Sequence, residues 1–247
     1  MSERLPPGLK LGVLVNPASR ANRRRPPDIE ALRRRGLPVE APAHSADAQD
    51  ALRRLAAADI DVLAIHGGDG TIVAVMTALL EERPFACPPT LCLLPGGTTN
   101  MTAADVGLGG RGPTLERAAA LVAAGGGRVE RRPALRLENA RDAEGAAPAR
   151  IGMFFGAIGI CRAILFCRKH LHSRGVVGGA ASWLTLLPLL LKNAMDDDPN
   201  GVLAGAPADI RLANGETLSG LWSVLMASTL RRLALGARPF WGAGAAE

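Results

Sequence analysis

The residue types best suited to chemistry fall in one short run, His66-Gly67-Gly68-Asp69-Gly70-Thr71. Glycines let a backbone approach a ligand closely, and consecutive amides at a helix start form a cradle for an anion such as phosphate. Thr71 can cap the following helix or donate to a phosphate oxygen. Asp69 is the odd member, because a carboxylate beside phosphate repels it. Its presence makes sense if it holds Mg2+ or accepts the proton of an attacking hydroxyl. The plainer alternative is a tight turn in which Asp69 serves as a helix cap.

Two more runs carry related chemistry. In Pro95-Gly96-Gly97-Thr98-Thr99-Asn100, Gly96 and Gly97 open space for backbone contact, while Thr98 and Asn100 offer groups to ribose or phosphate. Asn16-Pro17-Ala18-Ser19 is a turn-forming cluster, and Arg20 after it matters if it points at the same ligand.

Each run follows a short apolar segment: Leu9 to Val15, Asp61 to His66 and Thr90 to Leu94. Such segments have the length and content of buried parallel strands. In a parallel sheet the carboxyl ends share one edge, where ligands bind, so the three loops should converge there. Between the strands lie expected helices over Asp28–Arg35, Ser45–Ala58 and Ile72–Glu82, with a short extended piece at Pro38–Ala41. A further helix is capped by Thr114 and runs to Ala124. This alternation describes a doubly wound, Rossmann-like α/β domain over residues 1–127.

After residue 128 the pattern changes. Strands are expected over Arg128–Glu138 and Ile151–Gly156, with a polar loop from Ala140 to Ala149 between them. A helical stretch lies near Arg162–Leu171. Asp209–Ala213 and Glu216–Ser228 flank Asn214-Gly215, a strong hairpin signal. Residues 128–247 therefore read as a second, antiparallel β-rich domain.

Composition narrows the partners. The 247 residues are 48% hydrophobic and 3% aromatic, with no tyrosine, so the core must be aliphatic. The net charge of +6 is nearly all arginine, since the only lysines are Lys10, Lys169 and Lys192. Few stacking aromatics and no nucleic-acid-binding motif argue against nucleic acid. The runs Arg23-Arg24-Arg25 and Arg33-Arg34-Arg35 read as solvated faces. Cys87, Cys92, Cys161 and Cys167 form neither a metal pair nor a disulfide framework, which with no signal peptide suggests a cytoplasmic setting. His170 and His172, two apart, would face different sides of a helix, so no metal site is expected there. The uncharged stretch Gly175–Leu191 is short and interrupted by Gly178, Gly179 and Pro188, and reads as a buried or ligand-touching helix rather than a membrane span.

Taken together, the three motifs resemble the diacylglycerol kinase catalytic-domain family, which includes bacterial lipid kinases and sphingosine and ceramide kinases, with NAD kinases as more distant relatives. Val15-Asn16-Pro17-Ala18-Ser19 looks like the family's first motif, with Arg20 where glycine is usual. Gly67-Gly68-Asp69-Gly70-Thr71 matches the signature loop unchanged, and Pro95 to Asn100 matches the third motif, with Met101 where aspartate often follows. The resemblance implies an α/β nucleotide-binding domain and a β-sandwich, with ATP and Mg2+ bound and the γ-phosphoryl passed to a lipid hydroxyl at a membrane surface.

On this reading Asp69 is catalytic and a metal ligand, while Asn16, Ser19, Arg20, Gly67, Gly68, Gly70, Thr71, Gly97, Thr98 and Asn100 bind the nucleotide. Two departures stand out. Val73-Ala74 replaces an Asn-Glu pair common in the family, and the chain ends at Gly242–Glu247 where members carry an acidic segment. The second departure gives the expectation of an incomplete β-sandwich and keeps two alternatives open: a member that binds nucleotide or lipid without transfer, and a kinase for a soluble substrate such as NAD.

Overall fold

In the computed structural model, which describes residues 2–44, 47–107, 114–138, 141–142, 145–172, 201, 203–233 and 238, the chain opens with a short strand, Ser2–Arg4 (β1). Leu11–Val15 (β2) follows and is buried along its whole length. Residues 11, 13 and 15 join a cluster with Leu32, Leu115, Ala118 and Val122. A Cβ added to Gly12 would instead strike Leu55 and Ile60. Successive side chains of β2 thus face opposite layers, as a strand covered on both sides requires.

After β2 come two short helices, Arg20–Arg24 (α1) and Ile29–Arg34 (α2). The second was expected; the first was not, since arginine content gives no period. Asp28 caps α2 by accepting from the Ala31 amide at 2.8 Å. Val39–Glu40 (β3), Ala48–Ala57 (α3), Val62–Gly67 (β4), Asp69–Glu81 (α4), Thr90–Pro95 (β5), Met101–Val106 (α5) and Leu115–Ala123 (α6) complete the alternation. The four parallel strands stand in the order β3-β2-β4-β5. Buried Leu32 of α2 and Leu115, Ala118 and Val122 of α6 cover one face of this sheet. On the other, α3 packs on α4 through an apolar layer that includes Leu52, Leu55, Ile72 and Val75.

From β2 the chain turns one way to β3, and from β4 the other way to β5. Their exit loops diverge between adjacent strands, which opens a crevice at the sheet's carboxyl edge.

The helix after the glycine run starts at Asp69, not near Ile72, with Gly68 as its N-cap. Gly70 and Thr71 therefore belong to its first turn. Thr114 caps α6 as expected, accepting from the Arg117 amide at 3.2 Å.

Beyond α6 the strands are short. Arg128–Glu130 (β6) pairs antiparallel with β1; Leu135–Leu137 (β7) pairs with Arg150–Gly152 (β10); Arg141–Asp142 (β8) pairs with Gly145–Ala146 (β9) inside the stretch expected as loop. The chain forms two compact units, the second spanning Phe154–Ser228 and the first holding the described residues on either side of it. Residues 128–153 thus stay with the parallel sheet. The Ile151 amide donates to Thr77 Oγ1 of α4 at 2.9 Å, and Ile151 and Met153 are buried.

The second unit contains Phe154–Ile158 (β11), Gly159–His172 (α7), Ala206–Arg211 (β12), Thr217–Trp222 (β13) and Val224–Ser228 (β14). β12 and β13 form the hairpin signalled by Asn214-Gly215, with Gly215 at φ +88°. The expected single strand over 216–228 breaks at Ser223, because β13 pairs with β12 while β14 pairs with β11. The Gly175–Leu191 stretch and the Gly242–Glu247 end lie outside the described residues. Among those described, no helix is long and apolar enough to cross a membrane.

One buried ion pair ties the chain's return into the first unit. Arg132 donates to Asp105 at 2.7 Å and to the Thr229 carbonyl at 2.9 Å, and the Arg231 amide also donates to Asp105 at 3.0 Å. The two side chains are 10% and 4% exposed. Removing one partner leaves the other charge buried, which typically costs about 3–5 kcal/mol. Arg132→Met should lose about that much stability in urea denaturation. Arg136→Met, which breaks an exposed pair with Glu81, should leave the midpoint nearly unchanged.

Candidate functional site

The site is built on two backbones that touch. The Gly96 amide donates to the Gly67 carbonyl at 2.8 Å. A Cβ on Gly97 would lie 2.6 Å from Gly68 Cα, and one on Gly96 would lie 2.9 Å from Gly67 Cα. Any side chain here would force the second and third loops apart, so the glycines are required by this approach rather than by φ. The first loop joins them: the Asn16 amide donates to the His66 carbonyl at 3.0 Å and the Ala21 amide to the Gly96 carbonyl at 2.9 Å.

Three polar side chains brace this frame. Asn16 Nδ2 donates to Thr71 Oγ1 at 2.7 Å, while its Oδ1 accepts from the Ala18 amide at 2.9 Å. Asn100 sits in the left-handed region at φ +51°, which asparagine tolerates. Its amide group serves its own loop, accepting from the Gly97 N–H at 2.7 Å and donating to the Gly97 carbonyl at 3.1 Å. Asp69 accepts from the Met101 and Thr102 amides at 3.1 and 2.9 Å. The aspartate does cap a helix, but it caps α5 rather than the helix it begins. Sequence alone did not suggest this bond, which spans more than thirty residues.

A cleft of about 310 Å³ opens at this edge, lined by Asn16, Ser19, Gly68, Gly70, Thr71 and Gly97 among others. All three motifs contribute to it. A Cβ on Gly70 would meet nothing within 4 Å, so its surface faces the open cleft. Thr98, by contrast, is exposed and does not line the cleft. His44, Pro42 and Ala48 close the side toward α3; sequence reasoning passed over them because they carry no motif.

Next to the loops, Ser19 Oγ, Arg20 Nη2, Asn22 Oδ1 and His66 Nδ1 are buried with no hydrogen-bond partner among the described residues. Ser19 is 8% and Asn22 2% exposed. Asn22 uses its Nδ2 to donate to the Asn16 and His66 carbonyls at 2.9 and 3.1 Å. Unpaired buried polar atoms are rare in folded proteins, and here four gather around the first two loops. The serine hydroxyl and arginine guanidinium are donors suited to phosphate oxygens. For a metal the fit is different. Among the described residues, no three His, Cys, Asp or Glu side chains group as ligands, so a cation here would need oxygens from its substrate as well as Asp69. Cys92, on β5, is pushed up to about 11 by burial and is correspondingly unreactive.

His66 is held below its ordinary value of 6.5, chiefly by burial, with Glu116 and a Pro95 carbonyl pulling the other way. The unfolded chain therefore binds a proton more readily than the folded one. The stability that neutral His66 contributes is complete above pH 6.5 and is lost as pH falls from there through the lowered value. Denaturation midpoints measured across this range should fall with acidification, and His66→Gln should remove that share of the fall.

The glycines give a second expectation. Gly97→Ala should cost about 1–3 kcal/mol through overpacking against Gly68. Gly70→Ala should leave stability unchanged or raise it by up to about 1 kcal/mol, since alanine is the better helix former.

Residues 10–129 match the family model of the diacylglycerol kinase catalytic domain. No curated protein matches the chain. Three solved structures from Bacillus anthracis str. Sterne, titled as a diacylglycerol kinase and as putative diacylglycerol kinases, are each 18% identical over 94% of this chain, with TM-scores of 0.49, 0.53 and 0.54. The latter two likenesses are of fold. The chain spans 66–69% of the length of these structures.

Proposed function

We propose that this chain, whose residues 10–129 belong to the diacylglycerol kinase catalytic-domain family, is an ATP-dependent lipid kinase acting on a diacylglycerol- or sphingosine-like hydroxyl. The observation that carries the reading is the cleft at the crevice between β2 and β4, to which all three motifs contribute residues. In this reading residues 1–127 bind the nucleotide. The β-rich part within 128–247, chiefly the separate unit Phe154–Ser228, belongs to a sandwich that serves the acceptor lipid at a membrane surface.

Phosphoryl transfer asks the protein chiefly for positioning and charge neutralisation. The bond between the acceptor oxygen and the γ-phosphorus forms as the β–γ bridging bond breaks, and the acceptor hydroxyl loses its proton. The Gly68 amide and the amides of Asp69 and Gly70 that open α4 hold phosphate oxygens, while Gly97, whose own amide serves Asn100, admits them by carrying no side chain. The unpaired Ser19 hydroxyl and Arg20 guanidinium supply further donors, and Thr71, which already accepts from Asn16, keeps its own proton to donate. Asn16, which lines the cleft, and Asn100 also hold these groups in position through their bonds to Thr71 and Gly97.

Each Asp69 oxygen accepts one amide, so each keeps a lone pair. Those lone pairs are the proposed acceptor of the substrate proton or ligand for Mg2+, which when bound by phosphates and Asp69 neutralises charge on the transferring group. The same two amide bonds favour a second reading, a member that binds nucleotide without transferring phosphate, in which Asp69 only braces α5.

Gly70→Ala, expected to fold normally, should weaken ATP binding by at least about tenfold, or about 1.4 kcal/mol, by filling the cleft. Wild-type affinity in that variant would show that the nucleotide sits elsewhere. Radiolabelled ATP offered with diacylglycerol, sphingosine and NAD in parallel identifies the acceptor. Asp69→Asn should abolish transfer to it while retaining ATP binding. ATP binding by the wild type with no transfer to any acceptor would establish the second reading.

A further inference from the structure

The two arginine runs look alike in sequence and are unlike in structure. In α2, Arg33 pairs with Glu30 at 2.8 Å and Arg34 with Asp28 at 3.9 Å. On α3, Arg53 pairs with Asp50 at 2.6 Å and Arg54 with Glu40 at 2.8 Å. Arginines so matched present little net charge to the outside; Arg35, which ends α2, is the one member of the second run with no carboxylate partner among the described residues. Arg23, Arg24 and Arg25 are exposed, and none has a carboxylate partner among the described residues. The sequence explains why: no acidic residue occurs between Glu3 and Asp28. Cations at a helix C-terminus are favourable in themselves, but α1 and α2 both end in arginines, so that effect does not account for the difference.

Position adds a second observation. α1 begins directly after the first loop, and its inward residue, Asn22, is bonded to the Asn16 and His66 carbonyls at the sheet's carboxyl edge. Arg23, Arg24 and Arg25 therefore follow within six residues of Ser19, which lines the cleft. Pro26 and Pro27 follow immediately and stop the helix there.

We propose that Arg23, Arg24 and Arg25 are a docking patch for an anionic lipid surface, which seats the first loop and its cleft against phosphate headgroups. The inference rests on the lipid-kinase reading for its choice of partner, because a lipid acceptor must be met at a bilayer. Guanidinium groups bind phosphate diesters through paired N–H donors, and an unpaired cluster is drawn to a negative leaflet. Nucleic acid fits less well: the chain is 3% aromatic and has no tyrosine, which leaves little for base stacking.

The test is sedimentation of the full chain with vesicles, without ATP, so that its outcome is independent of phosphoryl transfer. Vesicles of phosphatidylcholine and phosphatidylglycerol in equal parts are compared with phosphatidylcholine alone. Each arginine near an anionic surface strengthens binding about fivefold, so the triple variant Arg23→Gln, Arg24→Gln, Arg25→Gln should bind mixed vesicles on the order of a hundredfold more weakly. A charge-matched control, Arg34→Gln, Arg53→Gln, Arg54→Gln, should lose only a few fold. ATP protection against thermal unfolding should be the same in all three proteins.

Equal losses in the two triples would reduce the effect to net charge and overturn the patch. So would wild-type vesicle binding by the Arg23–Arg25 variant. Binding of a duplex oligonucleotide that depends on Arg23–Arg25, with mixed vesicles ignored by the wild type, would assign the patch to nucleic acid instead. Failure of phosphoryl transfer with the vesicle result intact would remove the kinase reading and leave the docking surface standing.

Discussion

Two glycine backbones in van der Waals contact set the geometry of the candidate site. The 2.6 Å that would separate a Gly97 Cβ from Gly68 Cα is too short for any side chain. The second and third loops can lie together only because neither carries one. Backbone bonds from Gly96 to Gly67, from Asn16 to His66 and from Ala21 to Gly96 then extend the contact to the first loop. A site framed by main chain changes little when a ligand arrives, and such rigidity is what phosphate binding and phosphoryl transfer exploit. It also leaves side-chain groups such as the Ser19 hydroxyl and the Arg20 guanidinium uncommitted.

The acidic and amide side chains of the motifs serve that frame first. Asp69 begins α4 and closes the start of α5, where two orphan amides and the positive helix end favour a carboxylate. Asn100 holds its own loop in a left-handed turn, and Asn16 ties the first loop to Thr71. One residue type can thus be demanded twice, by the architecture and by the chemistry. A substitution at Asp69 tests both at once, because asparagine would turn an N–H toward one of the two amides it now accepts. Gly70 separates them, since nothing in the fold occupies the space its Cβ would fill.

The parallel sheet was legible because β2, β4 and β5 are apolar runs ending in glycine or turn residues, and Asp28 and Thr114 announce their helices by capping chemistry. The Asn214-Gly215 hairpin was legible for the same local reason. What escaped was either non-local or hidden by composition. The pairing of β1 with β6 joins residues more than a hundred positions apart. The break at Ser223 reflects which partner each half of the segment finds, not any local signal. The early start of α4 was masked because glycine reads as a loop residue, although it is acceptable in a first turn. The difference between Arg23–Arg25 and Arg33–Arg34 lies wholly in where carboxylates stand in space.

The four unpaired atoms around the first two loops bear on the same balance. Leaving a buried polar group unsatisfied costs about 1–3 kcal/mol, and a domain's whole stability is about 5–15 kcal/mol. Four such groups scattered through the core would be hard to sustain. Gathered around one pair of loops, they divide by chemistry: the Ser19 hydroxyl and Arg20 Nη2 can donate to the oxygens of a phosphate chain, while Asn22 Oδ1 and the Nδ1 of neutral His66 accept and call for a donor such as ordered water. Ser19, Arg20, Asn22 and His66 all lie on or beside loops that the glycine contact holds fixed, so none can turn away to find another bond at little cost. The rigidity that shapes the cleft also holds the two donors, Ser19 and Arg20, in place, and a phosphate ligand that meets them recovers part of what the fold gave up.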